Sequence, residues 1–146
     1  MQIRPVEPGD TEEWLRLRLA LFPDGEPAEH RAEMALLAAQ PDAIVLVAVR
    51  PDTGGLAGFA EVGARPYADG CATSPVAFLE GWYVDADVRR QGVGGALVRA
   101  AEEWARARGY REFASDALLD NVTSHRAHEA LGFTEVERAV RYRKAL

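Results

Sequence analysis

The stretch Ala77-Phe78-Leu79-Glu80-Gly81-Trp82-Tyr83-Val84, running on through Arg89-Arg90-Gln91-Gly92-Val93-Gly94-Gly95-Ala96, constrains the fold more than any other part of the chain. It reads as strand, glycine-rich turn and helix. The strand is a short apolar run rich in aromatic and β-branched residues, and the helix continues with Leu97, Val98, Ala101 and Ala105 at helical spacing, Trp104 beside them. Glycines at 92 and 94 let the backbone curl close to a ligand, and the first turn of a helix leaves N–H groups unpaired at its positive end. Such a turn is an anion site. A phosphate or pyrophosphate is the expected anion, with Arg89 and Arg90 adding formal charge. The bland alternative is a tight turn that needs glycine for its own sake. A dinucleotide fingerprint or a P-loop would need further glycines or Gly-Lys-Ser/Thr, and neither is present; the pattern is Arg-x-x-Gly-x-Gly.

The remaining segments supply a layered α+β fold around this unit. Gln2 to Val6 is a first strand. Asp10 with Glu13 has the capping pattern of a helix start, and Trp14, Leu17 and Leu21 mark that helix's buried side. A second helix fits Ala28 to Ala39, with Met34, Leu37 and Ala38 inward and Glu29, His30, Arg31 and Glu33 in solvent; His30 reads as a surface histidine. Ile44–Val49 and Leu56–Gly63 form an antiparallel hairpin across Pro51-Asp52-Thr53-Gly54-Gly55. Arg65 to Pro75 is a long irregular segment of the kind that often carries function. After the central helix, Gly109 suits a left-handed C-cap, Tyr110–Asp116 is a strand, Asn121 or Thr123 opens a short helix ending near Leu131-Gly132, and Phe133–Leu146 supplies one or two closing strands.

Composition narrows the class. At 146 residues and 48% apolar content, residues 1–146 are expected to form one domain with a real core. No apolar run approaches membrane-spanning length and no signal segment is evident, so a cytoplasmic protein without a membrane partner is expected. The single cysteine, Cys71, rules out an internal disulfide and a cysteine-cluster metal site, and no metal is expected. A net charge of −6 without basic blocks makes nucleic acid an unsuitable partner and a cationic ligand a suitable one.

The Arg-x-x-Gly-x-Gly turn resembles the acetyl-coenzyme A pyrophosphate loop of the GNAT acyltransferases, and the order of elements resembles that superfamily over essentially the whole chain. Tyr67 to Gly81, Ala114-Ser115-Asp116 and Tyr142-Arg143-Lys144 are similar to the bacterial aminoglycoside 6'-N-acetyltransferases. The resemblance implies a GNAT fold, a central mixed sheet splayed open between its fourth and fifth strands and flanked by helices. It also implies acetyl-coenzyme A as co-substrate and an acidic cleft for a polycationic amine. Trp82, Tyr83 and Val84 would pair with the pantetheine arm, and Arg89, Arg90, Gln91, Gly92, Val93, Gly94 and Gly95 would surround the pyrophosphate. Many family members carry Asn-x-x-Ala/Ser-x-x-x-Tyr in the helix after the fifth strand. Here the run begins at Asn121, and His128 stands where the tyrosine would be; the resemblance puts both on the cofactor side, with His128 as a proton donor to the leaving thiolate or a structural histidine beside it.

An alkyl ammonium with a pKa of roughly 10 must lose a proton before it attacks, at a cost of about 4–5 kcal/mol at pH 7. Glu80, which interrupts an apolar strand, and Asp116, which ends another, are the candidate acids for this role. Each also has a structural alternative: Glu80 pairing with an arginine, Asp116 capping a turn. Tyr67 and Glu137 are weaker candidates for lining the cleft. Direct transfer needs no covalent enzyme intermediate, so Cys71 is not required. The resemblance implies a homodimer formed through the C-terminal strands, where Val136, Val140 and Tyr142 alternate. The expected activity is acetylation of an aminoglycoside 6'-amine. Acetylation of another amine (a polyamine, a protein N-terminus or a lysine) and a non-catalytic acyl-coenzyme A binding module are the alternatives.

Overall fold

The computed structural model describes residues 1–146. Five strands form one mixed sheet in sequence order: β1 (Gln2–Pro5), β2 (Ile44–Val49), β3 (Leu56–Arg65), β4 (Val76–Val84) and β5 (Phe113–Ser115). The first three pairings are antiparallel and the last, β4 with β5, is parallel. Four α-helices accompany the sheet: α1 (Thr11–Leu21), α2 (Pro27–Ala39), α3 (Val93–Ala107) and α4 (Val122–Ala130). Period-two alternation divides the core between two faces. Ala60, Val62 and Leu79 pack on Val93, Leu97, Val98 and Ala101 of α3, while Val45, Val47 and Phe59 pack on Trp14, Leu17 and Met34 of α1 and α2.

Two irregularities in β4 position everything that follows. In the β3–β4 register Glu61 faces Gly81 and Val62 faces Leu79, so Glu80 is an extra residue, a bulge. The bulge resets the alternation, and Leu79 and Trp82 reach the same face although three positions apart. Second, β5 pairs only with Ala77, Phe78 and Leu79. From Gly81 onward that edge of β4 has no neighbouring strand.

Three sequence expectations are corrected. Asp10 stands at the N-cap of α1 but its side chain does not bond the helix: its carboxylate accepts from the Glu7 amide at 2.8 Å and from Arg4 at 2.7 and 3.1 Å, inside a 3-10 turn over Pro8–Asp10. Glu13 is engaged by Arg16 and by the Leu56 amide at 3.1 Å. The strand expected over Tyr110–Asp116 shrinks to Phe113–Ser115 because Gly109, at φ 85°, ends α3 with the Tyr110 amide bonded back to the Ala105 carbonyl at 3.0 Å. No closing strand forms after α4. Phe133 packs on Phe113 at 5.7 Å, but beyond it the chain is exposed, Tyr142 at 92%. The neighbouring edge, β5, has three residues and offers few ladder groups to template a strand. No helix is long and apolar enough to cross a membrane.

Candidate active site

The glycine turn is built as its sequence suggests. Gly92 is the N-cap of α3 at φ 83°, a left-handed conformation that favours glycine, and an added Cβ there would meet nothing within 4 Å. Gly94 serves packing instead: a Cβ there would sit 3.1 Å from Cζ2 of Trp82. Gly95 is similarly tight, against Arg99 at 3.1 Å and Leu131 at 3.2 Å. Val93 is buried in the core, whereas Gln91 is exposed. Arg89 donates through Nε to the Val84 carbonyl at 2.9 Å and lies 5.5 Å from the Tyr83 ring, while Arg90, at φ 62°, is exposed. Asp85 and Asp87 hold this turn from behind. Asp85 accepts from Arg16 and Arg50, and Asp87 from Arg50, all between 2.9 and 3.1 Å.

Together these features fit a coenzyme A tail. The open edge of Gly81–Val84 offers main-chain groups to an extended chain, and the open space above Gly92 lies over the amides of the first helical turn. The Trp82 indole N–H is buried without an acceptor, 3.5 Å from where a Cβ at Gly94 would stand.

His128 lies beside this opening, edge-on to Trp82 at 5.4 Å. Its Nδ1 is 2.7 Å from the Ser124 carbonyl, which can only accept, so Nδ1 carries the proton. Nε2 is 2.7 Å from Ser115 Oγ and in the neutral ring accepts from it. A proton at Nε2 therefore requires the imidazolium form. Asn121 has a structural task as the N-cap of α4, its Oδ1 accepting from the Ser124 amide at 3.2 Å.

Glu80 is paired with Arg65, and Asp116 acts on that arginine only through its field. Arg65 donates to both oxygens of Glu80, at 2.8 and 2.7 Å, and the negative fields of Glu80 and Asp116 raise its guanidinium pKa further. Asp116 is itself exposed, with Arg141 at 3.8 Å. Tyr67 is exposed and donates to Asp69 at 2.9 Å, and Glu137 is exposed nearby, its charge among those raising the Tyr67 phenol. Cys71 is half-buried. Desolvation and Glu112 push its thiol pKa up, away from the nucleophilic thiolate.

On the other side of Glu80 lies a cleft of about 520 Å³ that sequence reasoning missed. Arg18, Glu29, His30, Glu33, Glu61 and Glu80 supply its polar lining. His30, expected at the surface, is 3% exposed. The turn between α1 and α2 closes over it because residue 25 is glycine; a Cβ there would stand 2.5 Å from His30 Nε2. Glu61 is also buried, and desolvation pushes its carboxyl pKa up against the opposing pull of Arg18 and Trp14. Two signals point to this cleft in hindsight. Glu61 interrupts an apolar strand as Glu80 does, and Arg18 falls at i+4 of the stripe Trp14, Leu17, Leu21. A smaller recess of about 190 Å³, lined by Thr73–Pro75 and Arg108–Arg111, sits at the opposite end of α3 from Gly92.

The chain is similar to known acetyltransferases in sequence and in fold. The model of the acetyltransferase (GNAT) family matches residues 11–133. An aminoglycoside N(6')-acetyltransferase type 1 of Klebsiella aerogenes is 54% identical, covering 99% of this chain and 96% of its own length. The crystal structure of the apo aminoglycoside 6'-N-acetyltransferase AAC(6')-IG of Acinetobacter haemolyticus superposes with TM-score 0.90 at 40% identity, covering 100% and 99% of the two chains. AAC(6')-Iy in complex with the bisubstrate analog CoA-S-monomethyl-acetylneamine superposes with TM-score 0.92 at 36% identity, covering 99% and 98%.

Proposed function

The chain belongs to the acetyltransferase (GNAT) family, and from that premise we propose that it transfers acetyl from acetyl-coenzyme A to the 6'-amine of an aminoglycoside, a resistance activity of the cytoplasm, where acetyl-coenzyme A is made. The observation that carries this reading is the divergence of β4 from β5 after Leu79 and Ser115, with the glycine-capped end of α3 beside it. Main-chain groups of Trp82 to Val84 hold the pantetheine arm. The α3 amides with Arg89 and Arg90 hold the pyrophosphate.

Acetyl-coenzyme A supplies an acetyl group activated as a thioester, and direct transfer leaves this chain's residues three tasks. The acidic cleft draws in and orients the ammonium groups of the substrate. A carboxylate takes the proton of the reacting amine, directly or through water, with Glu80 and Asp116 as the assigned acids. Amides of β4 near Trp82 donate to the carbonyl oxygen as negative charge develops on it. The departing thiolate takes a proton from water or from His128 in its imidazolium form. Tyr67 and Glu137 line the outer rim.

Residues 1–146 act as one domain, and two copies pair through the C-terminal segment. The support for pairing is the exposed alternation of Val136, Val140 and Tyr142 next to an edge strand paired on one side only. Sedimentation at micromolar concentration should show a dimer, and a monomer throughout would remove this assembly. The test of function is coenzyme A thiol release against kanamycin, tobramycin, spermidine and a lysine peptide. Turnover with the two drugs far above the other amines is expected. Preference for spermidine or peptide would move the activity to another amine, and no release with any amine would leave a binding module.

A further inference from the structure

Arg18 sits beneath the acidic cleft and joins three elements with one side chain. It is 4% exposed, on α1. Its Nη2 donates to Glu33 of α2 at 2.6 Å, its Nη1 donates to the His30 carbonyl of α2 at 3.2 Å, and its Nε lies 3.2 Å from Oε1 of Glu61 on β3. That same Oε1 already accepts the Trp14 indole N–H at 3.0 Å, and Arg18 Nε has no hydrogen bond of its own. The guanidinium is thus buried and incompletely satisfied while lining the cleft.

A buried ion pair of this kind returns little net stability, because desolvation offsets the Coulomb gain. Its consequence is geometric. The Glu33 side chain is 60% exposed, and an exposed glutamate on a helix would otherwise move among rotamers; here one oxygen is tied to a guanidinium that cannot move. The other Glu33 oxygen is left for a cation entering the cleft. Arg18 also ties α2, where Glu29 and Glu33 lie, to the strand bearing Glu61.

We propose that Arg18 is a positioning residue for the acceptor: by pinning Glu33 and the cleft-facing side of α2 against β3, it fixes the carboxylate that reads a second, non-reacting ammonium of the substrate. The proposal rests on the aminoglycoside reading above. It assigns Glu33 a binding task and Arg18 an indirect one, and it separates polycationic substrates from amines with a single charge.

The test uses four variants of the full chain: Glu33→Gln, Arg18→Lys, the paired replacement Arg18→Met with Glu61→Met, and the triple variant adding Glu33→Gln. The paired replacement removes the buried charges together, so that no unpaired buried carboxylate is left to unfold the protein; Glu33, which loses its partner, is exposed. Steady-state kinetics with kanamycin and calorimetric titration with acetyl-coenzyme A are read for each. Glu33→Gln and the paired replacement are each expected to raise KM about 10-fold, with kcat and acetyl-coenzyme A affinity within about 2-fold of the parent. The triple variant should be no worse than either, since both changes remove one interaction. Arg18→Lys, able to reach Glu33 but not both acids, should fall between. A parent KM in the paired replacement, a triple variant whose KM is the product of the two effects, or a loss in kcat instead of KM would overturn the assignment. A parent that turns over no aminoglycoside would overturn the functional reading, and with it the role given to Glu33; parental turnover with an unmoved KM overturns the role of Arg18 alone.

Discussion

The turn at Arg89–Gly95 and the cleft around Glu61 and Glu80 are built by opposite means, and in the proposed function they meet opposite charges. The turn works with backbone: a left-handed glycine, helical amides and a free strand edge, all contributed by one continuous segment. The cleft works with side chains drawn from α1, α2, β3 and β4, and most of its carboxylates are already engaged by arginines. A backbone site is changed by altering the conformation the chain adopts. A side-chain site is changed by altering charge while shape is kept.

The most damaging change should therefore be at the turn. Gly92→Val with Gly94→Val places branched residues at φ 83° and within 3.1 Å of Trp82, and lowers acetyl-coenzyme A affinity by about 100-fold or more, roughly 3 kcal/mol. Calorimetric titration of the folded double variant checks it; unchanged affinity would remove the pyrophosphate assignment.

On the cleft side, Glu80→Gln should lower kcat/KM for kanamycin by about 10- to 100-fold. If Glu80 assists deprotonation, the loss is in kcat and recovers as pH rises, because solvent then takes over the removal of the amine's proton; if Glu80 only anchors, the loss is in KM at every pH. Asp116→Asn should cost less, about 10-fold, because the group is exposed and its arginine partner stands at 3.8 Å. Parent-like rates with both variants across the amine panel would break the division between the two regions.

Glu61 gives the smallest effect and the most particular sign. Burial raises its folded-state pKa above the ordinary carboxyl value of 4.5, so between those two pKa values the folded chain holds more protons than the unfolded one. Its contribution to stability is full below about 4.5 and is lost as pH rises through the raised value. Glu61→Gln should therefore gain relative to the parent as pH rises across that window, measured by urea unfolding at pH 4.5, 6 and 7.5. A difference that is constant with pH would mean that Arg18 keeps Glu61 ionised throughout.

The same contrast explains what was legible in the sequence. Glycine spacing announces a backbone site directly, and strand, turn and helix around Gly92 stand where the pattern puts them. Glu80 was visible as an acid in an apolar strand. An arginine partner is one of the two readings the sequence allows; that it is Arg65 is not legible, since the two are joined only through the β3–β4 register. The pattern alone does not single out Arg18, and His30 reads as a surface residue, because burial of a polar group depends on how α1 and α2 dock, which helical periodicity does not encode; Glu33 is exposed as its position suggests. The expected closing strands failed for a related reason: alternation in Val136, Val140 and Tyr142 states a preference for pairing without naming the edge that satisfies it.

The central claim, that the turn holds the coenzyme and the cleft holds the amine, is tested most directly by measuring two quantities on two single variants. Acetyl-coenzyme A affinity and kcat/KM for kanamycin at saturating acetyl-coenzyme A are determined for Gly92→Val and Glu80→Gln. The account predicts that Gly92→Val loses coenzyme affinity by about 10-fold or more and largely keeps kcat/KM for the drug once coenzyme is saturating, while Glu80→Gln keeps its affinity for the coenzyme within about 2-fold and loses drug turnover. Loss of coenzyme affinity in Glu80→Gln, or its full retention in Gly92→Val, would contradict it.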